Sequence, residues 1–215
     1  MTNYDVIFSI GQSCKVAQYL KSLNLRRYAY PLDWQICDDF DRILHLFESD
    51  FSDFFIEYKN LDNDYKLSGL RMVEDIRNKI VSMHHISDDL PLDEGVKKFR
   101  SKMLKRYFRL KSHIQNGNNI LIIANYDVSI DDLVSFLKSF ASLFEKKNIV
   151  MVNVKDSKIE EKNEYYLDNN LKIVEYLIND VHEDGSDPKT NRLFWLGNTK
   201  RWLEIISELT ASIGN

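Results

Sequence analysis

Cysteine is scarce in this chain, with two in 215 residues, and neither Cys14 nor Cys37 belongs to a Cys-x-x-Cys pair. A disulfide scaffold, a zinc knuckle and a dithiol redox motif are therefore excluded as organising features. Glycine and proline are few as well, seven and three, which leaves no flexible or low-complexity linker, and no internal repeat is visible. No window approaches the roughly eighteen uninterrupted apolar residues of a membrane span. Met1-Thr2-Asn3-Tyr4-Asp5 has no basic and apolar leader character, so the cytoplasm is the expected compartment. Positive charge is not in excess: 29 Lys and Arg against 33 Asp and Glu give a net charge of -4, with no global attraction to nucleic acid. There is no His-x-x-x-His and no carboxylate pair at ligand spacing, so neither a metal nor a cofactor is expected.

What is present is an ordinary core-forming composition, 44% apolar, enough for one domain over residues 1–215. Val6 to Ile10, Ile120 to Ala124, Ile149 to Val154 and Leu171 to Ile178 read as strands, with a short edge strand over Leu193 to Leu196. Lys79 to Met83 reads as a short strand with His84-His85 at its end. Helical spacing follows Cys14 (Val16, Ala17, Leu20, Leu23), Asp38 or Asp39 (Phe40, Ile43, Leu44, Phe47), Ser129 with Asp132 (Leu133, Phe136, Leu137, Phe140) and Asn198 or Thr199 (Trp202, Ile205, Ile206). Phe51, Phe54, Phe55 and Tyr58 continue the second helix as an aromatic element, and Asp62-Asn63-Asp64 marks a loop. Strands alternating with helices predict an α/β fold of three layers: a mostly parallel sheet, helices on both faces, and a mainly helical, aromatic-rich insertion over residues 35–115.

The chemistry-bearing features gather where such sheets collect ligands, beyond the carboxyl ends of strands near a switch in strand order. Gly11-Gln12-Ser13-Cys14 follows the first strand and opens a helix, whose free amides and dipole stabilise a thiolate and lower a cysteine pKa. A tight strand-to-helix turn that merely packs a small cysteine accounts for the same residues. His84-His85, Asn125-Tyr126-Asp127 and Asp180 with His182 are expected at neighbouring strand ends, so a nucleophile, imidazoles and orienting groups would share one crevice. Being adjacent on a strand, His84 and His85 point to opposite faces, and one of them is structural. His45 and His113 fall on helical patterns. Asp33 and Trp34 read as a structural corner whose carboxylate caps the next helix or pairs with Arg26 or Arg27.

Residues 97–111 carry Lys97, Lys98, Arg100, Lys102, Lys105, Arg106, Arg109 and Lys111 with no acid among them. Lys98, Lys102, Lys105 and Arg109 share one helical stripe, while Val96, Phe99, Met103, Tyr107 and Leu110 form the apolar one. Such a helix is either a solvated face or a seat for an anionic ligand.

The run Ile7 to Ala17, then Leu25-Arg26-Arg27 and Tyr30-Pro31-Leu32-Asp33-Trp34, resembles a bacterial family of unknown function that carries the name of papain-like cysteine peptidases. Its members show an apolar strand, G-x-x-C-x-x-A, L-R and a Y-P-F-D-W-like segment. An aromatic helix at Phe51 to Phe55 and a late W-x-G-x-x-x-x-W element at Trp195, Gly197 and Trp202 extend the likeness. The resemblance implies that Cys14 is a nucleophile and His84 its base. His85 stands where the family's histidine motif has an aspartate, so Asp127 or Asn125 would have to orient the imidazole. A papain-like fold carries its cysteine on a helix with no parallel strand before it, whereas here a strand is expected.

Gly11-Gln12-Ser13 with Asp180-Val181-His182 also looks like the Gly-Asp-Ser and Asp-x-x-His blocks of flat-sheet ester hydrolases. Gln12 replaces the acid and the final spacing is one residue short. Ser13 would then attack, His182 act as base and Asn125 help hold the oxyanion. A sugar-nucleotide transferase of surface polysaccharide synthesis, with phosphates on the Gly11 turn and the basic helix, and a noncatalytic binding module complete the set. The leading expectation is a cysteine-dependent hydrolase or acyl-transfer enzyme acting on a small-molecule, peptide or glycan substrate. Cys14, His84 and Asp127 carry the chemistry, Gly11, Gln12, Asn125 and His85 contact substrate, and Lys98, Lys102 and Lys105 hold an anionic group. No nucleic acid partner and no membrane span are expected.

Overall fold

Short runs of Val, Ile and Leu, too brief for helices and rich in β-branched residues, form the parallel strands of the computed structural model. The model describes residues 4–61, 69–145 and 147–210. These strands are β1 (Val6–Ser9), β6 (Asn119–Ala124), β7 (Asn148–Asp156) and β9 (Leu171–Ile178), and the antiparallel β8 (Glu161–Tyr166) closes one edge. Their order is β1-β6-β7-β9-β8. In β6, every residue from Ile120 to Ala124 is buried, as a strand covered on both faces requires.

Alternation along these strands sends side chains to two cores. Leu121, Ile123, Val152, Val154, Val174 and Ile178 pack against α1 (Lys15–Ser22) and α5 (Thr199–Thr210). Phe8, Ile120, Ile122, Ile149, Met151 and Ile173 pack against α2 (Phe40–Glu48), α3 (Leu92–Asn116) and α4 (Ile130–Leu143). The expected three-layer α/β architecture is therefore present.

The segment between α1 and β6 supplies α2 and α3, and it also forms a second sheet. This sheet is antiparallel, in the order β2 (Gln35–Cys37), β5 (Ile80–Ser87), β4 (Leu70–Asp75) and β3 (Tyr58–Leu61). Val73, Ile80 and Ile86 join the same core as Phe8 and Ile120. The strand expected over Lys79 to Met83 runs on to Ser87, so His84 and His85 lie inside it rather than at its end. The edge strand expected at Leu193 to Leu196 is instead a single 3-10 turn, Phe194–Leu196. The loop expected at Asp62-Asn63-Asp64 lies outside the described residues.

Capping followed the sequence closely. Asp39 accepts the Arg42 amide at the start of α2, Ser129 and Asp132 form a capping box on α4, and the Gly117 amide closes α3 on His113 O. The aromatic element after α2 is not a continuation of that helix. The backbone turns left-handed at Asp50 and Phe51 and again at Phe55, with φ of 53°, 56° and 51°. That conformation is costly for non-glycine residues. Burial of Phe51, Phe54 and Phe55 offsets it, with Phe51 stacked 4.4 Å from Tyr107. The buried Asp75 carboxylate also accepts the Phe55 and Asn78 amides at 2.6 and 3.1 Å.

Candidate active site

The first strand ends at Ser9, the Ile10 amide still bonds Ile123 O, and the chain then turns through Gly11 into α1. A Cβ on Gly11 would lie 3.2 Å from Ser13 O, closer than an ordinary contact, so the turn favours glycine. Gln12 is exposed, and Ser13 Oγ accepts the Lys15 amide at 3.4 Å. Cys14 occupies the N-cap position with no side-chain capping bond, which leaves its sulfur free for a partner from elsewhere. That partner is His84 of β5: Cys14 Sγ lies 3.3 Å from His84 Nε2 across 70 residues of sequence.

Burial dominates the electrostatics of the pair. It pushes the Cys14 thiol up to about 11, against a small lowering by its own backbone, and it lowers the His84 imidazole. The depressed thiol expected from the helix N-terminus alone is thus reversed, because desolvation of a thiolate outweighs the amides around it. The resting pair is a neutral thiol against a neutral imidazole.

Trp34 holds the ring of His84. Its φ is 67°, and its indole meets the imidazole edge-on at 5.6 Å. The corner that sets Trp34 is built on Asp33, which is 2% exposed. Its carboxylate accepts Ser9 Oγ at 2.7 Å and the Tyr30 amide at 2.9 Å, and it pairs with Arg26 Nε at 3.0 Å. The ion pair with Arg26 was one of the two roles expected for Asp33; the helix cap falls to Asp39 instead. His85 takes other partners, Gln35 Nε2 at 3.4 Å and the ring of Phe99 at 5.5 Å. Gln35 is buried, and its Oε1 has no hydrogen-bond partner among the described residues.

His85 titrates far from its usual range. Burial, then the charges of Arg106, Lys102 and neighbouring groups, lower it from 6.5 to about 3. As pH falls below 6.5 the unfolded chain takes up this proton and the folded chain does not, so stability drains away between pH 6.5 and 3. At pH 5 the loss is roughly 2 kcal/mol. His85→Gln should therefore narrow the gap between thermal midpoints measured at pH 7 and pH 5; an unchanged gap would refute this assignment.

The other strand-end residues go elsewhere. Asn125 donates to Val154 O at 2.7 Å, and the exposed Asp127 pairs with Lys155 at 2.7 Å, so both are turned toward β7. His182 Nδ1 accepts the Asp184 amide at 3.0 Å, and no hydrogen bond joins Ser13 to His182 among the described residues. Asp180 anchors α1 to the last helix: its carboxylate takes Lys15, the Asn198 amide and the indole N–H of Trp202. Lys98, Lys102 and Lys105 line a cleft on α3. Among the described residues the four parallel strands run one way, β1-β6-β7-β9, with the order reversing only at the antiparallel β8, and the Cys14 turn sits at the carboxyl end of the opposite edge strand, β1, rather than at a switch point.

Two contributors to the site have no signature in the sequence. Nothing local shows that the Trp34 corner is a tryptophan in left-handed backbone, and Gln35 carries no local signal at all. Only the pairing of β2 with β5 brings them to the histidines. Among the described residues, no group of three or more His, Cys, Asp or Glu is placed to hold a metal ion. Nor is any described helix long and apolar enough to cross a membrane.

A family model described as "Putative papain-like cysteine peptidase" matches residues 5–123, more than half of the chain, and its span takes in Cys14, Trp34 and His84. An uncharacterized protein of Acanthamoeba polyphaga mimivirus is 23% identical over 165 residues, covering 66% of this chain and 74% of that protein. No solved structure matches.

Proposed function

We propose, from the premise that the chain belongs to this papain-like cysteine peptidase family, that Cys14 and His84 are the nucleophile and general base of a hydrolase or acyl-transfer enzyme. The observation that carries the reading is the 3.3 Å approach of Cys14 Sγ to His84 Nε2. Two residues 70 positions apart, one at a helix N-terminus and one on a strand, meet at hydrogen-bond distance with no capping role for the sulfur.

Because both groups rest neutral, the thiol is activated as it reacts. Cys14 Sγ attacks an acyl carbonyl while its proton passes to His84 Nε2, and the carbonyl becomes an oxyanion. Free amides of the first turn of α1, with the Gly11-Gln12 backbone before it, are donors suited to that charge. Collapse expels the leaving amine or alcohol, which takes the proton from His84, and leaves a thioester on Cys14. Water, or an acceptor hydroxyl or amine, then loses a proton to His84 and attacks the thioester, returning the free thiol. His84 Nδ1 has no hydrogen-bond partner among the described residues, so Trp34 orients the imidazole by packing where a carboxylate does so in a triad. Asp127 does not serve, because it is paired with Lys155.

Iodoacetamide alkylation, followed by peptide mass spectrometry, tests the reading without a known substrate. Cys37 is the internal control, a buried thiol pushed up to about 12 by burial. At pH 7.5 Cys14 should react faster than Cys37, and His84→Ala should slow Cys14 by about a hundredfold, the low end of general-base effects. The rate should climb with pH through 6 to 9, since a neutral pair has no acid plateau. If His84→Ala leaves the rate unchanged, the dyad is refuted. A Cys14 no faster than Cys37 points instead to a binding module.

A further inference from the structure

The cations of α3 divide by what they meet. Arg100 donates to the carbonyls of Phe54 and Ser52 at 2.8 and 2.6 Å, Lys111 pairs with Asp50 at 2.6 Å, and Lys98 pairs with Glu94 at 2.7 Å. Arg109 is turned to the Ala29 carbonyl, with its guanidinium 5.4 Å from the ring of Tyr28. Lys102, Lys105 and Arg106 have no carboxylate partner among the described residues, and the polar contact of Arg106 is the sulfur of Met103 at 3.9 Å. A run that reads as uniformly basic in sequence thus does several jobs: pinning the aromatic turn, ion pairing, bonding the Ala29 carbonyl, and standing free.

The free group converges. Lys102, Lys105 and Arg106 join Arg27 and Arg109 in lining one cleft of about 980 Å³, and Glu94 is the only acid in its wall among the described residues. A solvated helix face is convex and lets its cations splay into water. Here burial lowers both Arg106 and Lys102; the Asp33 carboxylate raises Arg106 in part, the charges of Arg26 and Arg109 lower it, and Arg106 further lowers Lys102. Like charges held together in a concavity raise the free energy of the empty site, and a multiply charged anion relieves it. The cleft is open to solvent along one side, with Lys102 and Lys105 exposed, and wide enough to seat a small molecule; guanidinium with ammonium groups is the donor set that phosphate oxygens accept from. Tyr28, 47% exposed, adds an aromatic surface at its rim.

We propose that this cleft is a binding site for a small ligand bearing two or more phosphate groups. The inference stands apart from the chemistry assigned to Cys14. Pyrophosphate and a nucleoside diphosphate share the required charge, and Tyr28 is the group able to distinguish them.

Calorimetric titration of the full chain with pyrophosphate and with adenosine diphosphate tests it. Saturable binding that weakens with added salt is expected, and Lys102→Gln combined with Arg106→Gln should cost about thirtyfold in affinity. Should that protein fail to fold, Lys102→Gln with Lys105→Gln, both exposed, is expected to lose about tenfold. Tighter binding of the nucleotide, reduced to the pyrophosphate value by Tyr28→Ala, assigns a nucleotide ligand; equal affinities assign the phosphates alone. The proposal is overturned if neither diphosphate binds saturably at low salt, if the variants bind as well as the wild type, or if only a long polyanion such as single-stranded RNA binds.

Discussion

Gly197→Ala is expected to lower the thermal midpoint by roughly 10 °C, corresponding to about 3 kcal/mol for a chain of this size. Two costs coincide at this glycine. Its φ of 65° lies where side chains other than glycine are strained, and an added Cβ would run into the Asp180 carboxylate, 2.6 Å from its Cγ. That carboxylate cannot swing aside cheaply. It is held by Lys15, by the Asn198 amide at 3.0 Å and by the Trp202 indole at 2.8 Å, and Trp202 itself is fully buried and stacked on Tyr19. Differential scanning calorimetry measures the effect. Combining Gly197→Ala with Asp180→Ala should cost less than the sum of the two, because the second change removes what the methyl strikes. A midpoint within about 2 °C of wild type would show that the Asp180 cluster tolerates displacement. Since Lys15 follows Cys14 directly, the single variant should also alter alkylation of Cys14, linking this distant turn to the thiol through α1.

Asp33→Ala is expected to cost about 3 to 5 kcal/mol, the range for removing one partner of a buried ion pair. Arg26 would be left without its carboxylate, and Ser9 Oγ and the Tyr30 amide would each lose an acceptor beneath a chain that admits little water. Urea unfolding measures the loss. Asp33→Asn retains an acceptor oxygen for the Tyr30 amide, and its NH2 can donate to Ser9 Oγ, so it should be the milder change; equal losses would mean that the charge on Arg26 accounts for the whole effect. Trp34 hangs from the same corner, so Asp33→Ala should also release the ring of His84 and slow Cys14 alkylation toward the rate of His84→Ala. A folded Asp33→Ala protein with wild-type alkylation would remove Trp34 from the account of the site.

How much of this was visible in the residues alone follows from the range of the forces involved. The parallel strands, the helices with their caps, and the apolar face of α3 are local: periodicity, capping residues and β-branched runs state them within a few turns of chain. The antiparallel sheet was hidden because Tyr58–Leu61 and Leu70–Asp75 are half exposed and mixed in polarity, and a register shift between Arg71 and Val73 breaks their alternation. The left-handed turns at Asp50, Phe51 and Phe55 were hidden for another reason, since their cost is balanced by burial against α3, which lies some fifty residues downstream.

The site divides along the same line. That Cys14 stands at a strand-to-helix turn is a statement about neighbours in sequence, and the residues determined it; for His84 they indicated only the end of a strand that in fact runs past it to Ser87. Which histidine meets the thiol, whether the thiol is raised or lowered, and which cations of α3 remain free were decided only when the chain closed on itself. Contacts across 70 residues, the desolvation of a buried thiol and the convergence of cations in a cleft depend on what surrounds a group in space. Periodicity says which face of an element turns inward; only packing says what it finds there.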